Sequence, residues 1–353
     1  MTEPKLFAEQ IQDAAASQTP VVIQGGGSKS FYGNPVVGTP LSTTGYSGII
    51  SYEPSELIIT AKAGTPLSEI EQVLERHNQM LGFEPPYFAS SSTLGGTVAC
   101  GLSGPRRPYA GAVRDFVLGI TMINGKGEIL KFGGQVMKNV AGYDLSRLMC
   151  GSLGTLGLLL EITLKVVPKP HYEETRVLAA DQEQAKRLLS TLGCQPVPIS
   201  ATLLDQDQLY VRLSGAQGGV SEAIKKLGGI RIDDAGTFWR DVREQQHAFF
   251  DGAAPLWRIS LPPMADSIPA ELINGSELIE WGGALRWAYS HNGTQLQQWA
   301  KQNGGHASCF KNASDGIRIF SPLEPVLYKL HKHIKASFDP ENILNPGRLY
   351  AEL

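Results

Sequence analysis

The sequence is poor in the side chains that hold metals and clusters. Its 353 residues include four cysteines and seven histidines. Cys100, Cys150, Cys194 and Cys309 stand far apart with no Cys-x-x-Cys pair. That excludes a ferredoxin-type cluster motif, argues against a zinc knuckle, and reads as free thiols of a reducing compartment. No uncharged apolar run approaches the ~18 residues of a membrane-spanning helix. The longest, 156–160, ends at Glu161. Residues 5–16 read as an amphipathic helix rather than a secretory signal. A net charge of -3 gives no basic surface for nucleic acid or anionic lipid. The charged fraction of 18% and apolar fraction of 42% are those of a compact chain, long enough for two domains.

What the chain has in quantity is glycine, 39 residues of it, and its placement is informative. A short strand at 21–23 runs into Gly25, Gly26 and Gly27. Another at 57–63 ends at Gly64 and is followed by a helix that Thr65 and Pro66 can open. Residues 116–132 form a hairpin around Asn124-Gly125-Lys126-Gly127. A long strand over 155–167 stops at Pro168 and Pro170, which mark a domain boundary. Beyond it, strands at 176–180, 199–204, 209–213 and 230 alternate with helices at 183–192 and 220–227. That β-α-β-β-α-β order is ferredoxin-like. Further strands at 256–261 and 284–289 and helices at 294–302 and 325–338 complete the pattern.

Three glycine loops carry the chemistry. In Gln24-Gly25-Gly26-Gly27-Ser28-Lys29-Ser30, consecutive glycines let backbone N–H groups converge on phosphate oxygens, and Lys29 can add a charge. Ser28 stands where a P-loop has glycine, and Ser30 where a dinucleotide fingerprint does. By itself this loop fits a surface turn as well as a phosphate site. A second lies at 90–97, with 100–104 close behind; a third occupies 151–157. Three such loops, each abutting a strand, exceed what turns alone explain.

These residues resemble a known family. Residues 21–170 are similar to the FAD-binding domain of the vanillyl-alcohol oxidase and p-cresol methylhydroxylase (PCMH) superfamily. The likeness rests on the GGG loop, Thr93-Leu94-Gly95-Gly96, 114–118, 124–128 and 151–157. Residues 339–348, ending Asn345-Pro346-Gly347-Arg348, resemble the terminal signature of its D-2-hydroxy-acid dehydrogenase branch, where lysine is commoner than Arg348. Residues 104–108, 136–147, 256–262 and 281–287 look like those of glycolate oxidase FAD-binding subunits of the E type.

The resemblance implies an α+β chain. A PCMH-type two-subdomain FAD-binding domain would span 1–170 and a ferredoxin-like cap 171–338, with 339–353 returning to the first domain. It implies FAD contacts from Ile23, Gln24, Gly25, Gly26, Gly27, Ser28 and Lys29, from Ser92, Thr93, Gly95, Gly96, Ser103 and Gly104, and from Gly154, Gly157 and Leu159. Some members tether flavin covalently through a residue just past the first loop. Residues 28–32 contain neither histidine nor cysteine, so non-covalent FAD is expected. The implied partners are a homologous catalytic flavoprotein, an iron–sulfur subunit and glycolate. The implied place is the cytoplasm, at the membrane through the complex and without insertion. The cap departs from the family's paired histidines: His247, His291 and His306 are isolated, and His331 and His333 fall on different faces of a helix. No metal site is expected. Catalytic candidates reduce to His306, Arg258 and Arg286, each more readily structural than catalytic. A free-standing 2-hydroxy-acid dehydrogenase with His306 as base, and a non-catalytic FAD-holding subunit, are the competing readings.

Overall fold

The computed structural model describes residues 3–134, 144–314 and 316–353. The resemblance at 136–147 falls largely outside them. The chain divides into two compact units. The first comprises Met1–Ser103, Gly111–Pro168 and Pro322–Leu353, and the second Gly104–Ala110 and Lys169–Ser321. This division differs from the expected one at two places. The helix Pro325–Phe338 groups with the first unit, because its buried Lys335 donates to the carbonyls of Thr155 (2.8 Å) and Leu344 (2.9 Å) and to Asp339 (2.7 Å). Gly104–Ala110 groups with the second, where Arg106 pairs with Glu173 at 2.7 Å.

The first unit has two lobes. In one, Val21–Gln24 pairs in parallel with Thr39–Ser42. The helix Glu3–Ala16 buries Phe7, Ile11 and Ala14 in a cluster with Val21, Leu41, Ile343 and Leu344. Residues 343–345 flank the strand: Val21 N–H donates to the Ile343 carbonyl (2.7 Å) and Asn345 N–H to that of Val21 (3.0 Å). In the other lobe a five-stranded antiparallel sheet runs in the order Ile49–Glu53, Ile58–Lys62, Leu158–Lys165, Val117–Ile123, Ile129–Gly133. The Asn124 turn forms as its sequence predicts, Oδ1 accepting from the amides of Lys126 and Glu128. The helix Leu67–Glu75 seals this lobe with Leu67, Ile70 and Leu74. Thr65 does not cap it; its hydroxyl exchanges bonds with the backbone of Gly48.

The second unit is built on one antiparallel eight-stranded sheet. Its first four strands, in the order Ile230–Arg231, Tyr172–Ala179, Gln208–Gly215, Ile199–Asp205, give the 4-1-3-2 arrangement of a ferredoxin-like fold. Leu278–Glu280, Leu285–Tyr289, Leu256–Ser260 and His306–Lys311 extend it. Alternation puts Leu209, Val211 and Leu213 on one face, under the helices Gln182–Gly193 and Gln217–Leu227. Trp257, Ile259, Ala307 and Cys309 continue that face against Gly293–Gln302. The opposite face carries Arg212, whose guanidinium lies 5.1 Å from the Trp239 ring.

Candidate functional site: a glycine-walled cavity

Between the two lobes of the first unit lies a cavity of about 540 Å³. Its wall contains Ile23, Gln24, Gly25, Gly26, Gly27, Ser28 and Lys29 from the first loop, Thr93, Gly95 and Gly96 from the second, and Gly154, Gly157 and Leu159 from the third. The three loops read from the sequence therefore converge on one space. Three of the expected residues stand elsewhere. Ser92 is buried behind the wall and accepts from Lys29 Nζ at 2.7 Å. Ser103 accepts from the Val113 amide (3.0 Å). Gly104 lies in the second unit, its carbonyl accepting from Trp281 Nε1 (3.2 Å).

The glycines here serve close approach as much as ligand access. A Cβ on Gly26 would fall on the Ser91 carbonyl, and one on Gly25 on the Thr93 hydroxyl. The first loop thus presses on the second with no side chain between them. Gly27 is the exception: its φ is +72° and a Cβ there would meet nothing within 4 Å. The second loop is shorter than the sequence suggests, because Thr93 caps a helix, Leu94–Cys100, and accepts from the Gly96 amide. Gly95, in its first turn, packs on Ala63, where a Cβ would come within 2.7 Å of the Ala63 Cβ.

The wall's electrostatics suit a diphosphate. It includes Lys29 and Arg348 and no aspartate or glutamate. Lys29 is buried and bridges the loops, donating also to the Tyr87 carbonyl at 3.3 Å. The thiol of Cys100, also in the wall, is pushed up to about 11 by burial, against the opposing pull of Lys29 and Arg348. At neutral pH it is a thiol, not a nucleophilic thiolate. Two cations, no acid and three bare backbone loops meet what a dinucleotide diphosphate requires.

The C-terminal segment supplies wall residues that the sequence reading did not assign. Asn345 Oδ1 accepts from the Ile23 amide (2.8 Å), and its Nδ2 donates to the Leu153 carbonyl (2.7 Å). It thereby ties the first loop to the third across more than 300 residues of sequence in one case and nearly 200 in the other. The only signal for it was the terminal signature itself.

The second unit holds the three catalytic candidates. Arg286 is fully buried, and its terminal nitrogens donate to the carbonyls of Ala265 and Asp266 (both 2.6 Å), with Glu277 at 3.3 Å. That fork is committed to the fold. Arg258 lies 5.1 Å and Arg107 4.5 Å from the Trp281 ring. His306 begins its strand, paired with Ser260. Desolvation first, and the Arg258 charge second, hold its imidazole below the usual histidine pKa. His247 caps a short turn by accepting from the Phe249 amide. His331, half-buried, meets the Tyr350 ring edge-on at 5.7 Å. Among the described residues no three His, Cys, Asp or Glu side chains come together as a metal site.

Comparisons with known proteins agree with this geometry. The FAD binding domain family matches residues 3–133, and the C-terminal domain of FAD linked oxidases matches residues 322–349. The chain is 48% identical over 349 residues to glycolate oxidase subunit GlcE of Escherichia coli, covering 98% of this chain and 97% of that protein. It is 30% identical over 202 residues to glycolate oxidase subunit GlcD of Bacillus subtilis, covering 56% of this chain and 42% of that protein. Among solved structures, p-cresol methylhydroxylase with substrate bound matches with a TM-score of 0.75 at 14% identity, covering 100% of this chain and 88% of that one.

Proposed function

Because the chain belongs to the PCMH-type FAD-linked oxidases, in the branch of the glycolate oxidase E subunits, we propose that it is the FAD-binding subunit of a complex that oxidises glycolate to glyoxylate. The observation that carries this reading is 48% identity to an E subunit over nearly the whole chain, together with an acid-free, glycine-walled cavity. Bound FAD supplies a two-electron acceptor for hydride from the α-carbon of a 2-hydroxy acid. The chain's own part is to hold that group. The amides of the first loop and the charges of Lys29 and Arg348 serve the diphosphate, while Leu159 and Ala63 give apolar wall. The FAD is held without a covalent link, since Cys100 is a protonated thiol and residues 28–32 offer no histidine.

The partners are a homologous flavoprotein of the D-subunit type and an iron–sulfur subunit that carries electrons onward. The four cysteines here are separate free thiols, so the clusters belong to another chain. No helix among the described residues is long and apolar enough to cross a membrane, and attachment at the cytoplasmic face runs through the partners. Affinity isolation of the tagged chain from its own cells tests this. A second flavoprotein and an iron–sulfur protein are expected in constant ratio with it. A chain that elutes alone, with glycolate-oxidising activity, would overturn the subunit reading.

A further inference from the structure

The last residue of the terminal signature has a geometry of its own. The Arg348 guanidinium donates to three carbonyls of one loop: Ser30 (2.8 Å), Tyr32 (2.7 Å) and Asn34 (2.9 Å). The loop answers from its side. Asn34 N–H donates to the Arg348 carbonyl and Asn34 Nδ2 to that of Gly347, both at 2.9 Å. Ser30, Pro35 and Val36 of this loop line the cavity, as does Arg348 itself. Residues 30–34 also carry turn bonds, from the Ser30 amide to the Gly27 carbonyl and from the Tyr32 amide to that of Lys29, and the Phe31 ring meets the Phe88 ring edge-on at 5.4 Å. Gly33, at φ +94°, lets the chain pass against Arg348, where a Cβ would sit 3.0 Å from its carbonyl oxygen. No carboxylate pairs with Arg348 among the described residues, so its charge is spent on carbonyl dipoles and on the cavity.

We propose that Arg348 is a positioning residue for the cofactor: it clasps residues 30–36 into a wall of the cavity and places a positive charge there for the diphosphate. The proposal rests on the reading of the cavity as the FAD site. It accounts for an arginine where the resembling dehydrogenases more often have lysine. A planar fork with several donors reaches three carbonyls at once, which a single ammonium does less well. The clasp joins the chain's two ends, so the wall is complete only after the last residues have docked.

The test compares wild type, Arg348→Lys and Arg348→Met as purified holoproteins and as apoproteins stripped of flavin. In Arg348→Met the bound flavin should dissociate on the order of ten- to a hundredfold faster, as the loss of one or two charge-assisted hydrogen bonds implies. Arg348→Lys should restore part of the difference. Release from wild type should quicken with salt more than release from Arg348→Met, because the variant lacks the screened charge. In the apoproteins, the amides of residues 30–34 and of Val36 should exchange hydrogen faster in Arg348→Met than in wild type, with the sheet amides of 158–165 unchanged. Wild-type protein without flavin would defeat the FAD reading itself. A wild type that holds FAD, beside an Arg348→Met that releases it at the same rate, would overturn the clasp alone. Should Arg348→Met fail to fold, Arg348→Lys decides: wild-type loop exchange and wild-type release in that variant would equally overturn it.

Discussion

Replacing Gly26 with valine is expected to yield a folded chain that has lost its flavin. The Cβ alone would lie on the Ser91 carbonyl, and Ser91 Oγ already holds the Gly26 carbonyl at 2.6 Å. The first and second loops must then separate, and both are cavity wall. Overpacking of this kind costs ~1–3 kcal/mol in a packed site, about one to two decades in an equilibrium. Here the strain falls on the surfaces that would contact the cofactor. The lobes themselves keep their cores, built from Ile11, Val21 and Leu344 on one side and Leu67, Met122 and Leu164 on the other. Gly27→Ala is the contrast. Its Cβ meets no protein atom within 4 Å, so that variant bears the cost of a positive φ, ~1–2 kcal/mol, without parting the loops. Flavin-to-protein absorbance after gel filtration reads both. Wild-type flavin content in Gly26→Val would remove the loop from the site.

Mixed rapidly with glycolate or D-lactate, the isolated chain is expected to keep its flavin oxidised, while dithionite bleaches it. Oxidising a 2-hydroxy acid requires a base for the hydroxyl proton as hydride leaves the α-carbon, and a cation for the carboxylate. Arg286 is committed to Ala265, Asp266 and Glu277. Arg258 lies against Trp281. His306 is held below the usual histidine pKa by desolvation and then by the Arg258 charge, and among the described residues no hydrogen bond or ring contact orients its imidazole. A missing general base costs ~10²–10⁴-fold, and an unoriented one loses proximity as well. In the assembled complex, His306→Ala should therefore disturb assembly or stability more than turnover. Bleaching by either substrate at ~1 s⁻¹ or faster, the ordinary range of turnover, would establish a free-standing dehydrogenase in place of the subunit.

Much of the fold is legible because it is local. Alternating strands separated by amphipathic helices give the ferredoxin-like order without reference to any neighbour, and the Asn124 turn follows from its own side chain. The first glycine loop was legible because it ends a strand. Other features depend on distant contacts. Leu94–Cys100 reads as loop because two glycines weaken its helix propensity, yet Thr93 and the packing of Gly95 on Ala63 hold it. Leu278–Glu280 is a strand through pairing on both sides, which three residues cannot announce. Arg286, bracketed by tryptophans, looks like a ligand-facing arginine. Its carbonyl partners, some twenty residues upstream, are visible only in the folded sheet. Asn345 and Arg348 complete the cavity from the far end of the chain, and no periodicity encodes such a return.

The central claim is that this chain holds FAD in the glycine-walled cavity without a covalent bond. Heat precipitation of the purified chain, followed by identification of the flavin in the supernatant, tests it most directly. FAD is expected there in amount equal to the protein, leaving a colourless pellet. The cavity runs from the first loop past Gly154 to Arg348, and the protonated Cys100 is no nucleophile. FMN in the supernatant, no flavin at all, or yellow colour that stays with the washed pellet would contradict it.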